Sequence, residues 1–178
     1  MKKLSWDART ISILAIMTAI TTVLTMIVKI PTAPTRGYLN LGDAAVYFAA
    51  FAFGPVVGGI TGGIGTGLSD ALSGYPQWVF FSLIIHGVQG VVAGLIGRKK
   101  TVGRMIIACF AGAVIMVGGY WLTEVFLYGP GPALTEAPGN LVQNVAGWII
   151  SIPLVYAVRR AYPPIDHIME KKQWTDRR

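Results

Sequence analysis

The run AAVYFAAFAFGPVVGGITGGIGTGLS, residues 44–69, carries no charged side chain. As one helix it would be about 39 Å long at 1.5 Å per residue, too long for a hydrocarbon core of about 30 Å unless steeply tilted. Gly54-Pro55 lies inside it, and proline ends one helix or opens the next. Two helices meeting in a tight turn are therefore expected, a short one at 40–53 and a longer one at 55–73. So short a first run would ordinarily be re-entrant, and the choice between five spans and six has to be made elsewhere.

Charge placement makes it. The other uncharged windows are residues 11–28, 71–97, 105–123 and 137–158. With six spans, Lys2, Lys3, Arg9, Arg98, Lys99, Lys100, Arg104, Arg159, Arg160, Lys171, Lys172, Arg177 and Arg178 fall on one side, leaving only Lys29 and Arg36 on the other. Positive residues collect on the cytoplasmic side, whereas five spans would strand the cluster at Arg98, Lys99, Lys100 and Arg104 outside. The expected fold is all-α: a bundle of six transmembrane helices at about 10–30, 40–53, 55–73, 78–97, 104–128 and 139–160, with N- and C-termini cytoplasmic. Residues 1–160 form the membrane domain and 161–178 a cytoplasmic charged tail. The first helix lacks a small-residue cleavage pattern and reads as retained.

Composition agrees. Of 178 residues, 53% are hydrophobic and 13% charged, with a mean hydropathy of +0.58, against about 25% charge in a soluble domain. The net charge of +7 sits in clusters between apolar runs, so nucleic acid is not its expected partner. Cys109 is the only cysteine and His86 and His167 the only histidines, which leaves no paired thiols and no metal-ligand cluster. No Gly-x-Ser-x-Gly elbow occurs and the glycines of the third helix follow no phosphate-loop pattern. They recur instead as small-xxx-small spacings that pack helices closely. An enzyme is not expected.

The polar residues agree in depth. In the six-span scheme Asn40 and Asp43 start helix 2 at the outer face, Asp70 ends helix 3 at the rim and Trp78 starts helix 4. Tyr120 and Glu124 lie in the outer part of helix 5. Asn140, Gln143 and Asn144 open helix 6 on one face, at i, i+3 and i+4, with Trp148 a turn deeper; His86 and Gln89 lie near mid-membrane. Singly, Asn40 with Asp43, and Asn140, can be read as helix caps, and a lone buried histidine is often a packing residue. Glu124 is late in its helix, where the dipole disfavours a carboxylate. Together they describe a cup open to one side: Trp78, Tyr120 and Trp148 as walls, Glu124, Asn140, Gln143 and Asn144 as edge readers, and Asn40, Asp43 and His86 around them. A stand-alone secondary transporter or channel, the alternative, would need polar groups through the whole depth, and the inner half has none comparable.

The stretches Gly37-Tyr38-Leu39-Asn40-Leu41-Gly42-Asp43-Ala44 and Phe53-Gly54-Pro55-Val56-Val57-Gly58, with Asp70, Gly74-Tyr75-Pro76-Gln77-Trp78 and Pro138-Gly139-Asn140, resemble the substrate-binding S components of energy-coupling factor (ECF) transporters. Within them the chain is most similar to the hydroxymethylpyrimidine, pyridoxine or riboflavin subfamily, over about residues 10–160. The resemblance implies capture of a vitamin or its precursor from outside, under a loop at residues 31–39. It further implies docking on a membrane-embedded coupling subunit (T component) driven by two cytoplasmic ATPases, with no cofactor in this chain and ATP used by the separate ATPase subunits. The family's Ala-x-x-x-Ala docking face falls on Ala15 and Ala19, with Thr22 continuing the stripe.

Overall fold

The computed structural model describes residues 6–97 and 101–169, so the expectations for Lys2, Lys3, Arg98, Lys99, Lys100 and the tail beyond residue 169 lie outside the described residues. The elements are α1 (Ala8–Ile27), β1 (Ile30–Thr32), β2 (Gly37–Leu39), α2 (Gly42–Phe53), α3 (Pro55–Ser73), α4 (Val79–Gly97), α5 (Val102–Tyr128), α6 (Pro130–Ala161) and a 3₁₀ turn, Pro163–His167. The six-helix bundle is as expected. Successive helices alternate in direction, so one end of the bundle carries the β1–β2 hairpin and the α3–α4 and α5–α6 turns, and the other carries Arg104, Arg159 and Arg160.

Helices α1, α4, α5 and α6 are each long and apolar enough to cross a membrane unaided. Helix α2 is not: its 12 residues reach about 18 Å. It packs against α1, α3, α4 and α6, and Val46, Tyr47, Ala49, Ala50 and Phe51 are all buried. A helix sheathed by protein need not match the lipid thickness. The break after it is built by Gly54, whose φ of 92° lies in the region open to glycine, followed by Pro55 at the first position of α3.

Glycine also sets how closely α3 and α4 approach. A Cβ placed on Gly90 would collide with the carbonyl of Gly58, and one on Gly63 would lie 2.5 Å from the carbonyl oxygen of Leu83. The backbones touch where lipid offers no hydrophobic drive for association. Gly90→Ala is accordingly expected to lower the stability of the detergent-solubilised protein by about 1–3 kcal/mol through overpacking. Thermal melts of this variant beside Gly103→Ala, where a Cβ meets nothing within 4 Å, check it; equal melting points would refute the close-contact account.

Two helix boundaries and the loop after α1 differ most from expectation. Helix α6 starts at Pro130, nine residues before the expected 139, and carries Pro138 and Pro153 internally. Gly129, with φ 87°, breaks the chain and Pro130 restarts it at a position where the missing N–H costs nothing. Internal prolines are tolerated in membrane bundles because neighbours re-satisfy the freed carbonyls. Asn140 is therefore an interior residue and no cap. Helix α1 ends at Ile27 instead of residue 30, and the expected loop is an antiparallel hairpin pairing Ile30 with Leu39, Pro31 with Tyr38 and Thr32 with Gly37. Thr22 does not continue the outward alanine stripe: it is buried and donates to the carbonyl of Gly65 at 3.0 Å. Ala15 and Ala19 themselves are exposed on the outer face of α1.

Candidate functional site

A cavity opens among the helix ends beneath the hairpin, and its walls come from α1, the hairpin, α3, α4, α5 and α6. The space between its walls, open solvent at the mouth included, is about 420 Å³. Seven of the ten residues expected to bind substrate line it: Asn40, Trp78, His86, Tyr120, Glu124, Asn140 and Gln143. Asp43, Asn144 and Trp148 do not.

Trp78 and Tyr120 form the aromatic wall, their ring centroids 5.7 Å apart, and His86 stands edge-on to Tyr120 at 5.6 Å. The tyrosine hydroxyl is held by Ser82 at 2.6 Å. Trp78 also ties the hairpin down, donating from Nε1 to the carbonyl of Arg36 at 3.3 Å. Trp148, expected as a third wall, lies one turn too deep: its ring packs against Phe110 of α5 and its Nε1 donates to Asn144 at 2.7 Å.

Asp43 was expected at the rim and is instead completely buried beneath the cavity. Its carboxylate accepts from Gln89 Nε2 at 2.6 Å, Gln143 Nε2 at 2.8 Å and Asn144 Nδ2 at 3.4 Å. The cause is Gly147, where a Cβ would sit 2.7 Å from that of Asp43; its absence lets α6 close on the first turn of α2. A carboxylate only accepts, so Gln89 must present its amide nitrogen to Asp43 and its oxygen to His86 Nδ1, 2.7 Å away. The histidine proton is thereby placed on Nδ1, which leaves Nε2 for the cavity. Toward the mouth, Gln143 Oε1 accepts from the backbone N–H of Asn40 at 2.8 Å. One hydrogen-bonded chain thus runs from the end of the hairpin through Gln143, Asp43 and Gln89 to His86. Asn144 extends it sideways, accepting from Tyr47 at 2.9 Å.

The cavity contains carboxylates the sequence reading did not assign to it. Asp70, expected at the rim, is 4% exposed and lines the wall, because the hairpin folds over it. Glu136, outside the expected bounds of helix 6, is 6% exposed and also lines the wall. Had the helix been started at Pro130, the i, i+4, i+7 spacing of Glu136, Asn140 and Gln143 would have placed all three on one face. Thr25, Thr35, Tyr38, Thr66 and Ser82 complete the polar lining and carry no sequence signal above background. Among the described residues no trio of His, Cys, Asp and Glu is placed to hold a metal ion.

The hairpin is fastened at two of these carboxylates. Tyr38 donates to Asp70 at 2.6 Å, and Thr35 to Glu136 at 3.2 Å. Burial, together with the Asp70 carboxylate beside it, raises the Tyr38 hydroxyl above the ordinary tyrosine range, so it stays protonated and remains the donor. A hydrogen bond to a charged group contributes about 1.5–3 kcal/mol. Tyr38→Phe is expected to loosen the cover and raise the ligand off-rate by about tenfold, a value near the lower end of that range. Stopped-flow displacement measures it, and an unchanged off-rate would show that this contact does not hold the cover.

The matches to known proteins agree with this architecture. The family described as ECF-type riboflavin transporter, S component, matches residues 5–160. The chain is 42% identical over 145 residues, 81% of its length and 97% of the other's, to a Pyrococcus woesei protein described as an uncharacterized protein in gap 3'region. It is 35% identical over 155 residues, 86% of its length and 90% of the other's, to the thiamine precursor transporter HmpT of Lactococcus lactis subsp. cremoris strain MG1363. Its fold matches a solved structure described under "Structure and mechanism of the S component of a bacterial ECF transporter" with a TM-score of 0.64 and 24% identity, over 89% of this chain and 98% of that one. With the apolar six-helix bundle and its one-ended cavity, these matches make the chain a multi-pass membrane transport subunit and no enzyme: it belongs to the S-component family of ECF transporters.

Proposed function

We propose that this chain is the substrate-capture subunit of an ECF-type importer, taking a vitamin precursor of the hydroxymethylpyrimidine type, or a related small heterocycle, from outside the cell. The observation that carries the reading is the cavity itself, at the end of the bundle away from Arg104, Arg159 and Arg160. It has an aromatic wall at Trp78 and Tyr120 and edge-reading groups at Glu124, Asn140 and Gln143. One aromatic wall faced by three edge readers suits one small ring with short substituents. The 35% identity to a thiamine precursor transporter favours the same choice. Asp43, Asn144 and Trp148 serve this site from below by fixing its readers. The basic end of the bundle and the charged segment 161–178 face the cytoplasm.

Native mass spectrometry of the protein purified without added ligand tests the assignment by identifying what is released. A pyrimidine or pyridine supports it. A flavin would move it to the substrate in the family's description, and no ligand, with no stabilisation by any vitamin precursor, would overturn the capture role.

Delivery, in this reading, runs through the membrane-embedded coupling subunit and two ATPases, docked at Ala15 and Ala19. Both alanines are exposed, with Ile16 and Ile20 beside them, so small side chains there leave room for a partner helix. Replacing both by leucine is expected to cut co-purification of the coupling subunit several-fold while ligand binding by the isolated chain is unchanged. Retained co-purification would locate the docking face elsewhere, and lost binding would make the alanines part of the bundle's own packing.

A further inference from the structure

The charge inside the cavity is unbalanced. Asp70, Glu124 and Glu136 face it from three helices, each more than nine-tenths buried, whereas no lysine or arginine is among its lining residues. Three of their six oxygens are committed: Asp70 Oδ1 accepts from Tyr38, Glu136 Oε2 from Thr35 and Glu124 Oε1 from Asn140 Nδ2 at the 3.5 Å limit. Asp70 Oδ2 and Glu124 Oε2 are buried without any hydrogen-bond partner. The nearby cation, Lys29, is turned to Ser73 and to the face of the Tyr38 ring at 5.4 Å. His86 has its Nδ1 held by Gln89. Buried carboxylate oxygens without partners are costly unless a cation or donor meets them, and both residues line a space also bounded by Trp78 and Tyr120, whose ring faces attract cations.

We propose that the cavity selects its ligand by charge, binding an aromatic nitrogen heterocycle in cationic form and rejecting anionic forms such as its phosphate ester. This deepens the capture role proposed above and rests on it. The three carboxylates are spread around the walls, with no arrangement fit to hold a metal ion among the described residues, which suits an organic cation whose charge is shared over a ring. The positive charge can be a proton taken up with a weakly basic ring or a permanent one on a quaternised ring nitrogen. A phosphate ester would set two further negative charges among three carboxylates with no arginine or lysine to receive them.

Calorimetric titration of the full chain in nanodiscs tests this with four probes: 4-amino-5-hydroxymethyl-2-methylpyrimidine, its N-methyl pyrimidinium, its phosphate monoester, and the benzene analogue lacking both ring nitrogens. Repeating the titrations in buffers of different ionisation enthalpy counts the protons bound. The pyrimidine and the pyrimidinium should bind at least tenfold tighter than the other two, with proton uptake for the pyrimidine and none for the pyrimidinium. In the double variant Asp70→Asn, Glu136→Gln the preference over the phosphate ester should shrink. Equal affinity for the ester, or for the uncharged benzene analogue, overturns the proposal on the wild-type protein alone, whether or not the double variant folds. Release of an anionic vitamin precursor, or of one with no basic or quaternised ring nitrogen, in native mass spectrometry would leave the capture role standing and remove the charge selection, whereas a chain that no small ligand stabilises would remove both.

Discussion

Replacing Asp43 by alanine is expected to destabilise the bundle by about 3–5 kcal/mol, the cost of breaking a buried charged network by removing one partner. The substitution leaves the amide nitrogens of Gln89, Gln143 and Asn144 without their acceptor, and each orphaned buried donor costs about 1–3 kcal/mol. The Oδ1 of Asn144 cannot readily take Asp43's place, since it already serves Tyr47 and Trp148. Ligand binding should fall with it, because Gln143 and, through Gln89, His86 lose the group that orients them. Thermal melts with a ligand titration at low temperature separate the two effects. Asp43→Asn, which keeps one acceptor oxygen and the side chain's volume, should lie between wild type and alanine. A wild-type melting point for Asp43→Ala would mean that the network does not support the fold.

The location of Asp43 also marks where the sequence stopped being legible. Uncharged windows and the placement of lysine and arginine were enough for six helices, since both follow from the cost of charge in lipid. Depth was legible for the same reason, so residues far apart in sequence, from Asn40 to Gln143, were assigned to one end of the bundle where they meet. Direction around a helix was not. Whether Asp43 faces the cavity or the core depends on Gly147 admitting α6 to contact, and a contact across 104 residues leaves no periodicity to read. Trp148 was misplaced for a related reason: one turn of helix separates a cavity wall from the packing against Phe110. Glu136 was missed because the uncharged window opens after it, at residue 137, whereas a carboxylate inside a membrane helix is tolerated where it faces a cavity. The hairpin was missed because three-residue strands such as Ile30–Thr32 and Gly37–Leu39 are too short to show alternation.

Glu124→Gln is expected to weaken binding of 4-amino-5-hydroxymethyl-2-methylpyrimidine by more than tenfold, roughly 1.4 kcal/mol or more, without unfolding the protein. Glu124 is 2% exposed, near the end of α5, with one oxygen facing Asn140 and the other without a partner. An exocyclic amine or a protonated ring nitrogen would supply the missing donor, and hydrogen bonds to an ionised acceptor are roughly twice as strong as neutral ones. Glutamine preserves the volume and can still accept from Asn140, but it turns the free oxygen into an N–H₂ facing the ligand's own donor. Loss of charge and opposition of donors then act together on the bound state, while the empty protein loses only a costly unpaired oxygen and should be no less stable. That asymmetry separates a reader of the ligand from a structural residue: binding weakens as stability holds or rises. Ser151→Ala is the control, since the Ser151 hydroxyl is also buried without a partner but lies outside the cavity lining, and its removal should leave affinity unchanged. If Glu124→Gln binds the pyrimidine as wild type does, the carboxylate is structural and the pyrimidine assignment loses its main physical support. A flavin, held chiefly by stacking on Trp78 and Tyr120 and by amide hydrogen bonds to Asn140 and Gln143, then becomes the better ligand for this cavity.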